Sequence, residues 1–302
     1  MHKKESIITI VGFLGAGKTT LLKYLIDSFS KKGWNPFLIL NDYENANMDA
    51  QQFTKQVELN SIKALTGSCI CCSGIVELRN TVNRIPEREK GITLIEANGT
   101  SDACSLMEFL GVGINERFLP PIQISVVDVK NWQKREEHNE LERNQIQVSS
   151  LLILTHVDST TKNRQTLVAK EIEVLNPKAK IITMDNLDVT LLPELLPSVN
   201  TASQLEHGKA HWSSCSVNLP NLPDANCINI ICNTLPKSIL RVKGCVKIIG
   251  QEGYTYFERN PDGEIHIRPF NGIPITGTKL LTIGPGSELS VLEEAINSAL
   301  KN

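Results

Sequence analysis

Residues 12–19 read Gly-Phe-Leu-Gly-Ala-Gly-Lys-Thr, an arrangement suited to holding a polyphosphate. A triphosphate carries dense negative charge. Gly12, Gly15 and Gly17 let the backbone bend so that its N–H groups turn inward, and the N-terminus of a following helix adds partial positive charge. Lys18 would reach the β and γ phosphates, and the Thr19 hydroxyl would hold Mg²⁺. With Ala16 and Thr20, these residues are the candidate nucleotide-binding set. A chance glycine turn need not have a strand before it and a helix after it; this one has both signals. Ser6–Val11 is short and β-rich. Leu21, Leu22, Leu25, Ile26 and Phe29 share one helical face that Gly33 closes.

Phosphoryl chemistry on such a loop requires a second acidic group on the Mg²⁺ side, placed at the end of another strand. Ile92–Ile95 ends in Glu96, with Gly99 three residues further on. Glu96 is the candidate, acting on Mg²⁺ through water, and the Gly99 N–H is placed to sense a γ-phosphate. Lys18, Thr19 and Glu96 form the catalytic set. Asp128, after another strand-like run, reads as an ordinary solvated strand-end acid.

Eight cysteines are present, three of them bunched as Cys69, Cys71 and Cys72 between Gly67 and Gly74. Flanking glycines permit the tight backbone that converging thiols require. Thiolates favour zinc or Cu(I), and zinc takes about four ligands, so three sulfurs leave one place open. Asp42, Glu44, a water or a client protein could fill it. Buried structural cysteines, or a strained redox pair at Cys71 and Cys72, would have the same spacing. Cys104, Cys215, Cys227, Cys232 and Cys245 are scattered and read as small buried hydrophobes. His207 and His211 stand four apart in a stretch without helical signals and read as solvated.

The elements that must position these groups alternate. After the first strand and helix come strand-like runs at Pro36–Leu40, Ile92–Ile95, Ile122–Val127, Leu151–Leu154 and Lys180–Thr183. Helix-like segments lie around Ser101–Leu110, Trp132–Val148 and Arg164–Leu175. This alternation implies βαβ units, hence an α/β P-loop architecture with a mostly parallel sheet and helices on both faces. The pattern changes near residue 200. The expected division is a P-loop domain over 1–200, a polar, proline-bearing linker over 201–223 and a smaller α+β domain over 224–302. In that last part Cys227–Cys232, Ile239–Ile249, Tyr254–Glu258, Ile265–Pro269 and Lys279–Ile283 read as short strands, and Ser287–Leu300 as a closing helix. A length of 302 residues agrees with two domains at roughly 100 to 200 residues each.

A net charge of −2 argues against a general nucleic-acid binder. No apolar run approaches the about 18 residues of a membrane span. Lys3 and Lys4 before Ile7–Leu14 loosely imitate a secretory signal, but no small-residue cleavage site closes the run, and the expected location is the cytoplasm.

The order of these pieces resembles the CobW-like metallochaperone GTPases, relatives of the nickel-insertion GTPases that serve urease and hydrogenase. The resemblance rests on GFLGAGKTTLL at 12–22, NDYENANMD at 41–49, CICC at 69–72 and EANGTSD at 96–102. Leu175-Asn176-Pro177 and Leu240-Arg241-Val242-Lys243-Gly244 extend it over nearly the whole chain, the latter matching an Arg-x-Lys-Gly signature of the family's C-terminal domain. The resemblance implies that Cys69, Cys71 and Cys72 ligate a metal and that Asn41–Asp49 is the segment that responds to the γ-phosphate. It also makes Asp49 an Mg²⁺-side residue and Glu44 a possible fourth metal ligand. It implies GTP and GDP as nucleotides, zinc or a similar thiophilic ion as cargo, a client metalloprotein as partner and a possible homodimer. Two departures stand out. Where the family reads guanine with Asn-Lys-x-Asp, this chain has Thr155-His156-Val157-Asp158: Asp158 can still accept from guanine N1 and N2, and His156 could stack on the base. Where the family has Glu-Phe-Gly after the asparagine, this chain has Asp42-Tyr43-Glu44.

The expectation is a slow, Mg²⁺-dependent GTPase that binds zinc and couples its transfer to nucleotide state. The rival readings are a metal-responsive nucleotide-binding module with little hydrolysis and a P-loop small-molecule kinase. The kinase would leave the cysteine motif without a role, and the arginine-rich lid such enzymes usually carry has no counterpart in this sequence.

Overall fold

The computed structural model describes residues 4–41, 53–54, 56–65, 73–111, 113–198, 214–239, 241–260, 262–270, 274, 277–284 and 286–301. Asp42, Glu44, Asp49, Cys69, Cys71, Cys72, His207 and His211 lie outside this set. The described residues divide into two compact units: one holds those from 4 to 41 and from 56 to 198, and the other holds Phe53 and Thr54 together with those from 214 onward.

The first unit is a seven-stranded sheet: β1 (Ser6–Val11), β2 (Asn35–Asn41), β3 (Ile62–Leu65), β4 (Gly91–Glu96), β5 (Ile122–Asp128), β6 (Leu151–Thr155) and β7 (Lys180–Thr183). Their spatial order is β3-β2-β4-β1-β5-β6-β7, and every pairing is parallel. Every residue of β1 and of β5 is buried, as expected of parallel strands covered on both faces. The helices are α1 (Lys18–Lys31), α2 (Ser73–Asn83), α3 (Ala103–Gly111), α4 (Asn139–Gln147) and α5 (Lys162–Leu175). Leu78 and Val82 of α2 and Leu106 and Leu110 of α3 share a core with Val11, Ile39 and Ile95. Ile146 of α4 and Val168 and Ile172 of α5 share another with Val127, Leu152 and Leu154.

The second unit is an antiparallel five-stranded sheet ordered β11-β10-β9-β12-β8. Its strands are β8 (Ser214–Asn218), β9 (Arg241–Val246), β10 (Tyr254–Arg259), β11 (Ile265–Phe270) and β12 (Lys279–Ile283). Helices α6 (Asn226–Thr234) and α7 (Leu289–Lys301) bring Ile228, Ile231, Leu292 and Ile296 against Val242, Val246, Phe257 and Leu280. The Arg259 guanidinium donates to the carbonyls of Cys232, Leu235, Pro236 and Ile239, taking up the backbone acceptors at and beyond the end of α6. In the Arg-x-Lys-Gly stretch, Arg241 donates to the Glu258 carboxylate at 2.9 Å and Lys243 is buried on the same strand.

The architecture is the expected α/β P-loop sheet with a second α+β unit, but four local expectations change. Cys227–Cys232 is a helix, not a strand. The Asp224 carboxylate accepts the N–H of Asn226 at 2.8 Å and of Cys227 at 3.2 Å, and Cys227, Ile228, Ile231 and Cys232 then fall on one helical face. Ser214–Asn218, within the span read as linker, pairs with β12 along five residues. The helix expected over Trp132–Val148 starts only at Asn139, because Gln133 and Glu136 adopt left-handed φ values of 56° and 51°. β3 and α2 had no counterpart in the pattern read from sequence. Of the scattered cysteines, Cys227, Cys232 and Cys245 are buried and Cys104 and Cys215 half-buried. Burial pushes the Cys232 and Cys245 thiols up to about 12, so both stay protonated and inert.

Candidate functional site

The phosphate loop leaves the carboxyl end of β1, the strand at which the chain's excursions switch from one side of the sheet to the other. Parallel sheets bind ligands at such a switch point. The register sets β4 and β5 on either side of it, pairing Ile10 with Glu96 and Val11 with Ser125. The Ala97 N–H donates to the Ile10 carbonyl at 2.9 Å, continuing the ladder to the edge of the loop. Gly12 has φ 145°, and a Cβ there would stand 2.6 Å from the Val126 carbonyl oxygen, so only glycine lets the loop pass this close to β5. Gly17, at φ 99°, caps α1, which begins at Lys18; Thr20 is exposed in its first turn, and Ala16 is buried beneath the loop.

Lys18 is 4% exposed, and its Nζ donates to the carbonyls of Gly12 at 2.8 Å and Phe13 at 3.2 Å. Lys18 is thus folded back onto the loop's own carbonyls. The Thr19 hydroxyl donates to Glu96 Oε1 at 2.9 Å, so the two oxygen groups expected to share a hard cation are brought together from α1 and β4. Gly99 lies against the loop: a Cβ on it would meet Leu14 N at 2.8 Å and Leu14 Cδ2 at 2.5 Å.

The Thr155–Asp158 stretch begins at the last residue of β6. The Thr155 hydroxyl lies 2.7 Å from the Ala16 carbonyl and 3.1 Å from that of Val127, so it tethers this loop to the phosphate loop and to β5. His156 has φ 55°, and its Nε2 is 3.2 Å from the Gly15 carbonyl. Asp158 is exposed. Among the described residues no cluster of three His, Cys, Asp or Glu side chains could hold a metal ion.

One assignment is overturned. Asp128 is 4% exposed rather than solvated, and it pairs with Arg135 at 3.1 Å. Arg135 also meets Glu142 at 2.7 Å, and its guanidinium lies 4.1 Å from the centroid of the Phe13 ring. Burial raises the Glu142 carboxyl above its ordinary range despite that arginine. The phosphate loop is thus backed by an arginine held between two acids. The signal available in the sequence was thin: a phenylalanine inside the loop, an acid closing β5 and an arginine seven residues on.

A family profile described as the CobW/HypB/UreG nucleotide-binding domain matches residues 6–183. The chain belongs to this family. Among curated proteins it is 23% identical to a zinc-regulated GTPase metalloprotein activator 1 of Dictyostelium discoideum, over 64% of this chain and 48% of that protein. It is 25% identical to the zinc chaperone YjiA of Escherichia coli, over 62% of this chain and 59% of that protein. The chain therefore spans about half the length of these two relatives. Among solved structures, a zinc-bound YjiA GTPase from Escherichia coli aligns over 99% of this chain and 98% of that one, at 18% identity and a TM-score of 0.44. None of the described helices is long and apolar enough to cross a membrane.

Proposed function

We propose that this member of the family is a slow GTPase that binds zinc through Cys69, Cys71 and Cys72 and couples release of the ion to a client protein to the state of its nucleotide. The observation that carries the coupling is the register at the carboxyl edge of the sheet. Asn41 pairs with Leu65, and Leu40 pairs with Glu96. The segment Asn41–Asp49 and the stretch leading to the cysteines therefore both depart from the edge that carries the phosphate loop. Cys69 follows Leu65 by four residues, a reach of at most about 14 Å. That is close to the about 14 Å spanned by the three strand spacings from β3 to β1. The relatives described as a zinc chaperone and a zinc-regulated activator support zinc as the cargo.

In this reading Lys18 leaves the Gly12 and Phe13 carbonyls for the β and γ phosphates, and Gly12, Gly15, Ala16 and Gly17 present backbone N–H groups to them. Thr19 and Glu96 hold Mg²⁺, with Asp49 on the same side; when bound, the ion neutralises charge developing as the β–γ bond breaks. The Gly99 N–H senses the γ-phosphate. Asp158 reads guanine while Thr155 holds the loop and His156 flanks the base. Glu44 supplies a fourth zinc ligand in one nucleotide state.

The test is Zn²⁺ affinity measured by competition with a chelating dye, in the presence of GTP·Mg²⁺, of GDP·Mg²⁺ and of neither. A shift of about tenfold between nucleotides, equal to about 1.4 kcal/mol of coupling, is expected. Cys71→Ala should weaken zinc about tenfold without changing GTP affinity in metal-free protein. Equal zinc affinities in all three states would remove the coupling.

A further inference from the structure

Helix α4 reaches both arms of the nucleotide site. Glu142 fixes Arg135, whose guanidinium lies on Phe13 of the phosphate loop. Gln145 stands three residues further along the same helix face and is 1% exposed. Its Nε2 lies 3.3 Å from the carbonyl of Gly99 and 3.3 Å from that of Ser101. Gly99 in turn is backed against Leu14 of the phosphate loop. One amide therefore holds the peptide segment that follows Glu96 on a helix that also braces the phosphate loop.

The helix itself is pinned. Beyond its C-terminus the Asn176 side chain, completely buried, donates from Nδ2 to the carbonyls of Ile146 and Ser149, both at 2.8 Å, and of Gln147 at 3.3 Å. Gln123 of β5 donates to the Gln145 carbonyl at 3.1 Å and to the Ser149 hydroxyl at 2.9 Å. Toward the N-terminal side, Glu142 accepts the Gln133 N–H at 2.9 Å and the Arg135 Nε at 2.7 Å. A helix held in this way does not follow a ligand. The two bonds from Gln145 are long, and a neutral amide shared between two carbonyls at 3.3 Å is weaker than one aligned bond at about 2.9 Å.

We infer that Gln145 is a positioning residue for γ-phosphate recognition: from a fixed helix it sets the orientation of the Gly99–Ser101 backbone, and so the preference for a nucleoside triphosphate over a diphosphate. The inference rests on the reading of Gly99 as the γ-phosphate sensor. No atom of Gln145 is assigned to the nucleotide. Its effect passes through the peptide groups it holds, which places the consequence on the terminal phosphate and not on the base, the ribose or the β-phosphate.

The experiment is the affinity of the full chain for fluorescent GTP and GDP analogues with Mg²⁺, compared between the unaltered protein and Gln145→Leu, which keeps the volume and removes the donor. The expected result is a roughly tenfold loss of GTP affinity with GDP affinity changed less than about twofold, and a fall in kcat. Equal losses for both nucleotides would assign Gln145 a merely structural role and overturn the inference, as would an unchanged ratio. An unaltered protein that binds no GTP would overturn the GTPase reading itself, and the inference with it. Hydrogen exchange on the unaltered protein keeps the test independent of whether the variant folds. Peptides covering 97–102 should gain protection with a non-hydrolysable GTP analogue and not with GDP, while peptides covering the fixed helix, 141–147, should be equally protected in both states. Identical protection of 97–102 in the two states would overturn the inference.

Discussion

At the amino-terminal end of the seven-stranded sheet one carboxylate serves two arginines; at the carboxyl end one arginine serves two carboxylates. Glu5, 3% exposed, lies between Arg88 and Arg117. Arg88 also donates to the carbonyls of Asn35 and Ile92 and to the Thr93 hydroxyl, so this cluster ties together the starts of β1, β2 and β4. The other cluster, Arg135 with Asp128 and Glu142, faces a ring of the phosphate loop. Both are buried ion-pair networks of similar size. The first binds strand to strand, with its arginines lying over the Phe37 and Phe118 rings. The second lies against the phosphate loop, which in the proposed function must hold still while charge moves across it. The comparison teaches that a buried ion pair reveals its role by what it rests on, since burial and ion pairing are common to both places.

The separation can be broken most strongly at the carboxyl end. Lys18→Ala removes the loop's own lysine, whose Nζ lies on the Gly12 and Phe13 carbonyls, and should lower GTP turnover by at least about 100-fold, the scale of losing one preorganised charge-stabilising donor. Steady-state phosphate release would check it, and turnover within threefold of the unaltered protein would refute the phosphate-loop assignment. The same variant should unfold in urea nearer to the unaltered protein than any variant of the Glu5 cluster does.

At the opposite end the expected effect is on stability alone. Glu5→Gln leaves Arg88 and Arg117 close together around a neutral amide. Removing one partner of a buried pair costs about 3 kcal/mol or more, because the remaining charge stays buried without compensation. Urea unfolding would show the loss, while the fraction still folded should bind GTP with affinity within about twofold of normal. A loss below about 1 kcal/mol would mean that water reaches the cluster and that the two ends differ less than their burial indicates.

The fold was legible where one signal dominated. Six of the seven parallel strands are short apolar runs, and Gly12–Thr19 followed by Leu21–Phe29 can be read only as strand, loop and helix. β3 escaped because Ile62-Lys63-Ala64-Leu65 is four residues long, and Lys63 is exposed at the sheet edge, so it lacks the continuous apolar run of a buried strand. The strand reading of Cys227–Cys232 failed because Ile and Cys suit a strand in composition, whereas Asp224 decides the matter by capping a helix. Thr19 and Glu96 lie together because α1, which opens just after β1, and the end of β4 share one edge of the sheet. The support beneath them was not legible. Asp128 and Arg135 are joined across Gln133, a residue with left-handed backbone, and Gln145 meets Gly99 over 46 positions. Such pairings depend on how the chain turns between elements, and spacing carries no trace of that.

The smallest expected effect sharpens the comparison through pH. Two acids share Arg135, and desolvation raises Glu142 above its ordinary value, with the nearby Asp128 charge acting in the same direction. An acid whose folded pKa is raised holds its proton more tightly in the folded state than in the unfolded chain. The folded state is then favoured at low pH, and that advantage is lost as pH rises from the unfolded value of about 4.3 through the folded one. Glu142→Gln removes the titration and keeps the shape. The difference in unfolding free energy between the unaltered protein and this variant should therefore shift in the variant's favour as pH rises across that window, by at most about 1.4 kcal/mol per unit of raised pKa. A shift in the opposite sense would mean that Arg135 outweighs burial and holds Glu142 as a depressed carboxylate. The cluster would then be a simple electrostatic clamp, matching the one at Glu5, and the difference between the two ends of the sheet would rest on the Phe13 contact alone.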